Sequence, residues 1–120
     1  MKYETTITKL GNDSLIFLND KDTNFIIIFN ENAPPELADI SILHTISDLK
    51  ENLNIGDTIE IGKYKFKIEK IGTEAEHTLK TLGHCTLTFN KNSDNFLPGQ
   101  ILLSGDKLPE ISIGDKIRIY

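Results

Sequence analysis

The feature that most constrains this chain is the period of its hydrophobic pattern, which is two rather than 3.6. Tyr3, Thr5 and Ile7 alternate with Glu4, Thr6 and Thr8, and Tyr64, Phe66 and Ile68 alternate with Lys65, Lys67 and Glu69. Cys85, Leu87 and Phe89 alternate with Thr86 and Thr88, and Ile117 and Ile119 with Lys116 and Arg118. Successive side chains of a strand point to opposite faces, so each stretch reads as a half-buried strand. Leu15–Leu18, Phe25–Phe29, Ile40–Leu43 and Ile101–Leu103 are shorter apolar runs, expected to be more fully buried strands. Turn residues punctuate them at Gly11-Asn12-Asp13, Asn19-Asp20, Pro34-Pro35, Gly62, Pro98-Gly99 and Gly105-Asp106. This spacing predicts an all-β sandwich or barrel. The 120 residues make one domain, 1–120, large enough to hold a core without disulfide or metal staples.

Two helices interrupt the strands. Thr73 followed by Glu76 has the spacing of a capping box. Ala75, Leu79 and Leu82 then share one helical face, and Gly83 offers a left-handed stop. A weaker helix is expected over Ser47–Leu53, with Ile46, Leu49 and Leu53 on one side. There is also a short repeat: Ile55-Gly56-Asp57-Thr58-Ile59-Glu60-Ile61 matches Ile113-Gly114-Asp115-Lys116-Ile117-Arg118-Ile119 at five of seven positions. In each copy Gly-Asp makes a turn and Ile-x-Ile enters a strand. The repeat is a structural signature and predicts a pseudo-duplicated, mainly antiparallel β-barrel.

Chemistry is narrowed chiefly by exclusion. Thirteen Lys and Arg against eighteen Asp and Glu give a net charge of −5, which argues against a general nucleic-acid binder. A single cysteine rules out an intrachain disulfide and favours a reducing compartment, and no export signal or membrane-length apolar run occurs, so the expected location is the cytosol. No phosphate-cradling loop, dinucleotide fingerprint or H-E-x-x-H motif is present. The remaining reactive side chains are His44, His77, His84 and Cys85, which lack the close ligand pairs of a structural zinc motif. His77 points away from the apolar helical stripe, and Cys85 shares the inward face of its strand. Lys63, Lys65 and Lys67 lie on the opposite strand face from Tyr64 and Phe66, so bases have no platform where the charge is. His84 opens a strand on its polar side. His44 shares parity with Ile40 and Ile42 but ends its run, which leaves both a core and a rim position open. On these grounds a non-catalytic binding barrel for a protein or metabolite is the favoured reading, with a structural role for His44.

The landmarks of the chain point to a different reading, beside which the binding barrel stays as the alternative. Tyr3-Glu4-Thr5-Thr6-Ile7-Thr8, Ala33-Pro34 with Glu36-Leu37, and Ile42-Leu43-His44 resemble the glucitol/sorbitol-specific IIA component of the phosphoenolpyruvate-dependent sugar phosphotransferase system. So do Gly72-Thr73-Glu74-Ala75-Glu76, Leu82-Gly83-His84-Cys85-Thr86-Leu87-Thr88-Phe89 and Phe96-Leu97-Pro98-Gly99, in the same order and over nearly the whole chain. The resemblance implies a compact β-barrel in which His44 accepts a phosphoryl group from phospho-HPr and passes it to the IIB component of the glucitol/sorbitol permease. It implies His84 as a phosphate-stabilising partner, no cofactor or metal, no nucleic acid, and membrane contact only through the IIB and IIC permease components. Chemically, a neutral imidazole nitrogen attacks phosphorus while its other ring nitrogen is held in a hydrogen bond. Glu36 and Asp39 are expected to steer the basic face of HPr. Asn32 stands where the resemblance leads one to expect Gly before Ala-Pro, and is expected to supply the same left-handed turn.

Overall fold

The computed structural model describes residues 1–91 and 95–120. Eight strands are formed: β1 (Tyr3–Leu10), β2 (Phe25–Asn30), β3 (Ile42–His44), β4 (Thr58–Ile61), β5 (Tyr64–Ile71), β6 (Cys85–Thr88), β7 (Gln100–Ser104) and β8 (Lys116–Ile119). They close into a barrel in the order β1-β3-β2-β6-β7-β5-β4-β8, so no edge is left open. Neighbours are antiparallel except β2 with β3 and β6 with β7, which run parallel. The alternating residues behave as their period requires. Tyr3, Ile7, Phe66, Ile68, Cys85, Leu87, Ile117 and Ile119 all fill the interior.

Three helices decorate the barrel: α1 (Ile16–Asn19), α2 (Pro35–Ala38) and α3 (Ala75–Leu82). Leu15–Leu18, expected as a strand, instead makes the turn of α1, with the Asn19 N–H donating to the Leu15 carbonyl at 3.2 Å. A four-residue apolar run has no period long enough to separate strand from helix. Pro34-Pro35 opens α2 rather than a plain turn, with Pro35 at the first helical position where its missing N–H costs nothing.

The expected helix over Ser47–Leu53 does not form. Its N–H groups are claimed elsewhere, Lys50 by the Lys2 carbonyl at 2.9 Å and Leu53 by Glu76 Oε1 at 2.6 Å. That second bond also corrects the capping box: Glu76 reaches across to Leu53, and Glu74 occupies the cap position without a side-chain bond. Ala75 and Leu79 are buried as expected, but Leu82 is 46% exposed. Gly83 ends α3 at φ 62°, the left-handed stop read from the sequence.

The seven-residue repeat is the visible end of a duplication of the whole barrel. Gly56 and Gly114 share φ values of 94° and 96°, and Asp57 and Asp115 each accept from the N–H three residues earlier, at 2.8 and 3.0 Å. β4 and β8 then pair with each other about a local twofold, Ile59 with Ile119 and Ile61 with Ile117. The symmetry continues outward. Ile7 on β1 pairs with His44 on β3, with a bulge before Lys9; Ile68 on β5 pairs with Leu103 on β7, with a bulge before Lys70. Ile28 meets Ile42 in the parallel β2–β3 pair as Leu87 meets Ile101 in β6–β7. By these registers Thr5 corresponds to Phe66, Asn24 to Gly83, Asn30 to Phe89, and His44 to Leu103.

Candidate functional site

His44 is the last residue of β3, and strand parity carries its ring inward, the core alternative of the two the sequence allows. It is wholly buried, with 0% exposure. Its neighbours in the chain are not: Thr45 is half-buried and Ile46 exposed, so the ring lies just beneath the surface at one end of the barrel. The imidazole Nδ1 sits 3.1 Å from Thr5 Oγ1 and 2.9 Å from the Thr45 carbonyl oxygen. Thr5 Oγ1 donates to that same carbonyl and lies 2.7 Å from Thr45 Oγ1. The backbone N–H of Thr6 donates to Thr45 Oγ1 at 3.0 Å, which ties the cluster to β1. On the other side, Nε2 is 2.8 Å from the Gly83 carbonyl oxygen. The ring of Tyr3 meets His44 edge-on at 6.2 Å.

The glycine at position 83 is required by this packing. A Cβ there would come 1.9 Å from Asn30 Oδ1 and 2.8 Å from His44 Cε1, and its φ of +62° already disfavours a side chain. Asn30 itself is the β2 residue in register with His44. It is 9% exposed, and its Oδ1 has no hydrogen-bond partner. The Tyr3 hydroxyl is likewise buried without a partner, and burial pushes its pKa up, with a smaller contribution from Cys85. Burial also pushes the Cys85 thiol up to about 12, which fits a small core hydrophobe and not a nucleophile.

The structure brings the Leu82-Gly83-His84 landmark against His44, but through the backbone of Gly83. The His84 ring stacks on Phe29 at 4.6 Å, with Nδ1 3.2 Å from the Ile28 carbonyl. Phe29 and Asn30 are adjacent on β2 and point to opposite faces, so His84 stands outside the barrel wall that His44 faces from within. His77 is exposed on α3. Among the described residues no three His, Cys, Asp or Glu side chains gather as a metal site. Glu36 and Asp39 are exposed. They lie on the path that carries the chain from the Asn30 end of β2 back to the start of the parallel strand β3, the far end of that strand from His44. Asn32 has no positive φ; among the described residues Asn24 is the non-glycine that does, so the loop before Ala33-Pro34 closes without a left-handed residue at 32.

Thr5, Thr45, Asn30 and Gly83 are the site residues that motif reading passes over. Thr5 and Asn30 did carry a signal, since each is a polar residue on the inward parity of an otherwise apolar strand. A cleft of about 470 Å³ lies elsewhere, lined by Thr58, Lys65, Lys67 and Tyr120 on the other half of the barrel.

Comparison with known proteins bears on the family and the fold. The family described as "PTS system glucitol/sorbitol-specific IIA component" matches residues 2–118. The proteins called "PTS system glucitol/sorbitol-specific EIIA component" in Escherichia coli (strain K12) and Shigella flexneri are each 30% identical over 116 residues, 97% of this chain and 92% of theirs. The crystal structure of a PTS system IIA component from Enterococcus faecalis V583 superposes with a TM-score of 0.82 at 26% identity, covering 97% of this chain and 98% of that one. The chain therefore belongs to the glucitol/sorbitol-specific IIA family of the sugar phosphotransferase system, a family of phosphoryl carriers.

Proposed function

We propose that this protein accepts a phosphoryl group from phospho-HPr on Nε2 of His44 and passes it to the IIB component of a glucitol/sorbitol permease. The observation that carries the reading is the asymmetry around the ring. Nδ1 is held by a threonine network anchored to β1 and β3, whereas Nε2 is covered by one glycine carbonyl at a helix end. A neutral imidazole has one N–H. The Thr45 carbonyl can only accept, so a proton on Nδ1 makes that contact a bond and leaves the lone pair on Nε2. Nε2 and the Gly83 carbonyl are then acceptor against acceptor at 2.8 Å, so no hydrogen bond ties that carbonyl to the nucleophile. Its withdrawal uncovers Nε2.

Transfer is a displacement at phosphorus. The Nε2 lone pair forms the new N–P bond, the donor's N–P bond breaks, and its electron pair stays on the donor ring nitrogen. Each ring keeps the proton on its other nitrogen, His44 through the bond to Thr45. The second transfer, to IIB, repeats this step with His44 as the donor. His84 follows Gly83 in the chain and moves with it, which suits a secondary role in closing over the phosphoryl group. Exposed Glu31 is tied to the residue that carries the ring, its N–H donating to the His44 carbonyl at 2.7 Å, and is a better acidic residue to meet a basic donor than Glu36 or Asp39 at the far end of β3.

The test is intact mass after incubation with phosphoenolpyruvate, enzyme I and HPr. The wild type is expected to gain one acid-labile phosphoryl group, His44→Ala none, and His84→Ala the same group more slowly. No gain on the wild type, with donors shown active, overturns the reading and leaves a binding barrel.

A further inference from the structure

The surroundings of His44 are rich in acceptors and poor in free donors. A phosphoryl group brings three charged oxygens, each of which needs N–H or O–H donors to be stable out of water. The backbone N–H groups at the site are all spent: Glu31 on the His44 carbonyl, Thr45 on Thr6, Gly83 on Leu79 and His84 on Thr78. The Thr5 hydroxyl is engaged with Thr45. Two side-chain groups around the ring stand outside this network: the Tyr3 hydroxyl, on a ring that meets His44 edge-on at 6.2 Å, and the amide of Asn30, the register partner of His44.

We propose that Asn30 is a catalytic residue of the phosphoryl transfer, its side-chain amide N–H donating to a phosphoryl oxygen on His44. This rests on the reading of His44 as the acceptor. Four observations converge on it. Asn30 is the register partner of His44 across the parallel β2–β3 pair. Its Oδ1 and the ring carbon Cε1 would lie 1.9 and 2.8 Å from a Cβ at Gly83, the residue whose carbonyl lies 2.8 Å from Nε2. Its Oδ1 is buried without a partner, an uncompensated cost in the resting protein. In the other half of the barrel the corresponding residue is Phe89, packed on Phe66 at 4.9 Å, so the fold itself is satisfied by an aromatic there.

An orphaned amide kept where an apolar side chain fits is explained by a partner that arrives during function. A half-turn about χ2 exchanges Oδ1 for Nδ2 and presents two N–H groups to the ring without moving the backbone. The amide is neutral, so it stabilises the incoming group without binding it too tightly to be passed on.

The experiment compares wild type, Asn30→Leu and Asn30→Asp in rapid-quench phosphorylation by phospho-HPr, each first shown to melt cooperatively. Asn30→Leu keeps the size and removes the donor; acceptance is expected to slow about ten- to a hundredfold. Asn30→Asp, which sets a carboxylate against the phosphoryl group, is expected to be slower still. A second readout needs no variant: in ¹⁵N-labelled wild type, the Asn30 side-chain amide resonances move on phosphorylation while those of Asn24 do not. Acceptance by Asn30→Leu within about twofold of wild type, or an unmoved Asn30 amide in a fully phosphorylated sample, overturns the proposal and leaves the carrier reading intact. A wild type that takes no phosphoryl group from active donors overturns both.

Discussion

The two halves of the barrel share strand order, bulges and register, yet one end is polar and the other apolar. Around β3 stand Thr5, Asn30 and His44; at the same places around β7 stand Phe66, Phe89 and Leu103. The second set makes aromatic contact and lines a small cavity of about 150 Å³ with Leu108 and the lysine stems. The first set encloses an imidazole, three engaged oxygens and one orphaned amide. The apolar half shows what the architecture needs in order to fold. Whatever the polar half has beyond that comes at a cost in desolvation, which the proposed phosphoryl transfer accounts for.

The largest test of that contrast exchanges the two central residues. His44→Leu is expected to abolish acceptance of the phosphoryl group, a loss of at least about a thousandfold. It also removes the Nδ1 partner of the Thr45 carbonyl, which still accepts from Thr5 Oγ1, so the change in stability is expected to be small beside the loss of acceptance. Leu103→His places a ring among Phe66 and Phe89, where no hydroxyl stands in for Thr5 and the matching Asn24 carbonyl already accepts from Phe89, and is expected to cost about 2–5 kcal/mol while gaining no adduct. Urea midpoints and intact mass read both. An adduct on Leu103→His in a His44→Leu background would mean that the threonine, glycine and asparagine surroundings are dispensable.

Much of this was legible in the residues, and the parts that were not share a cause. Period-two alternation gave the inward residues of β1, β5, β6 and β8 correctly, because burial of one strand face is a local property of sequence. The repeat 55–61 and 113–119 announced a duplication, but only its turns and final strands kept identity; elsewhere the halves retain geometry with different side chains. His44 was singled out by the resemblance, while its parity left core and rim both open and the structure places it in the core. What failed were the inferences resting on local pattern where tertiary partners intervene. Glu76 serves Leu53 instead of its own helix cap, and Lys50 and Leu53 spend on distant partners the N–H groups a helix needs. Gly83 was read as a helix stop, which it is; that its carbonyl caps His44 across 39 residues has no trace in sequence.

Next in size is the pair Gly83 and Asn24, which occupy matching left-handed positions at φ 62° and 46°. The Asn24 carbonyl accepts from the Phe89 N–H at 2.9 Å, an ordinary backbone partner, where the Gly83 carbonyl meets His44 Nε2. Gly83→Ala forces a Cβ against Asn30 and the imidazole, and is expected to cost about 2–4 kcal/mol and to slow phosphoryl acceptance strongly. Asn24→Ala meets the same backbone penalty and loses the bond to the Leu18 carbonyl, about 1–2 kcal/mol, with acceptance unchanged. Equal kinetic effects of the two would dissolve the distinction between the ends.

The smallest expected effect concerns Thr5, whose counterpart is Phe66. Thr5→Val removes one hydroxyl at nearly constant shape and so moves the polar half one step toward the apolar one. The Thr45 carbonyl remains 2.9 Å from Nδ1, so the ring keeps its main acceptor and the proton stays on Nδ1. What is lost is the lateral restraint through Oγ1, worth about 1 kcal/mol in the urea midpoint and about three- to tenfold in the rate of acceptance. Thr5→Ser, which restores the oxygen, is expected to recover most of the rate though not all of the packing. A loss in Thr5→Val as complete as that in His44→Leu would show that the hydroxyl takes part in the transfer itself. A variant more stable than wild type and equally fast would show that this face of the ring tolerates the apolar solution its counterpart already uses.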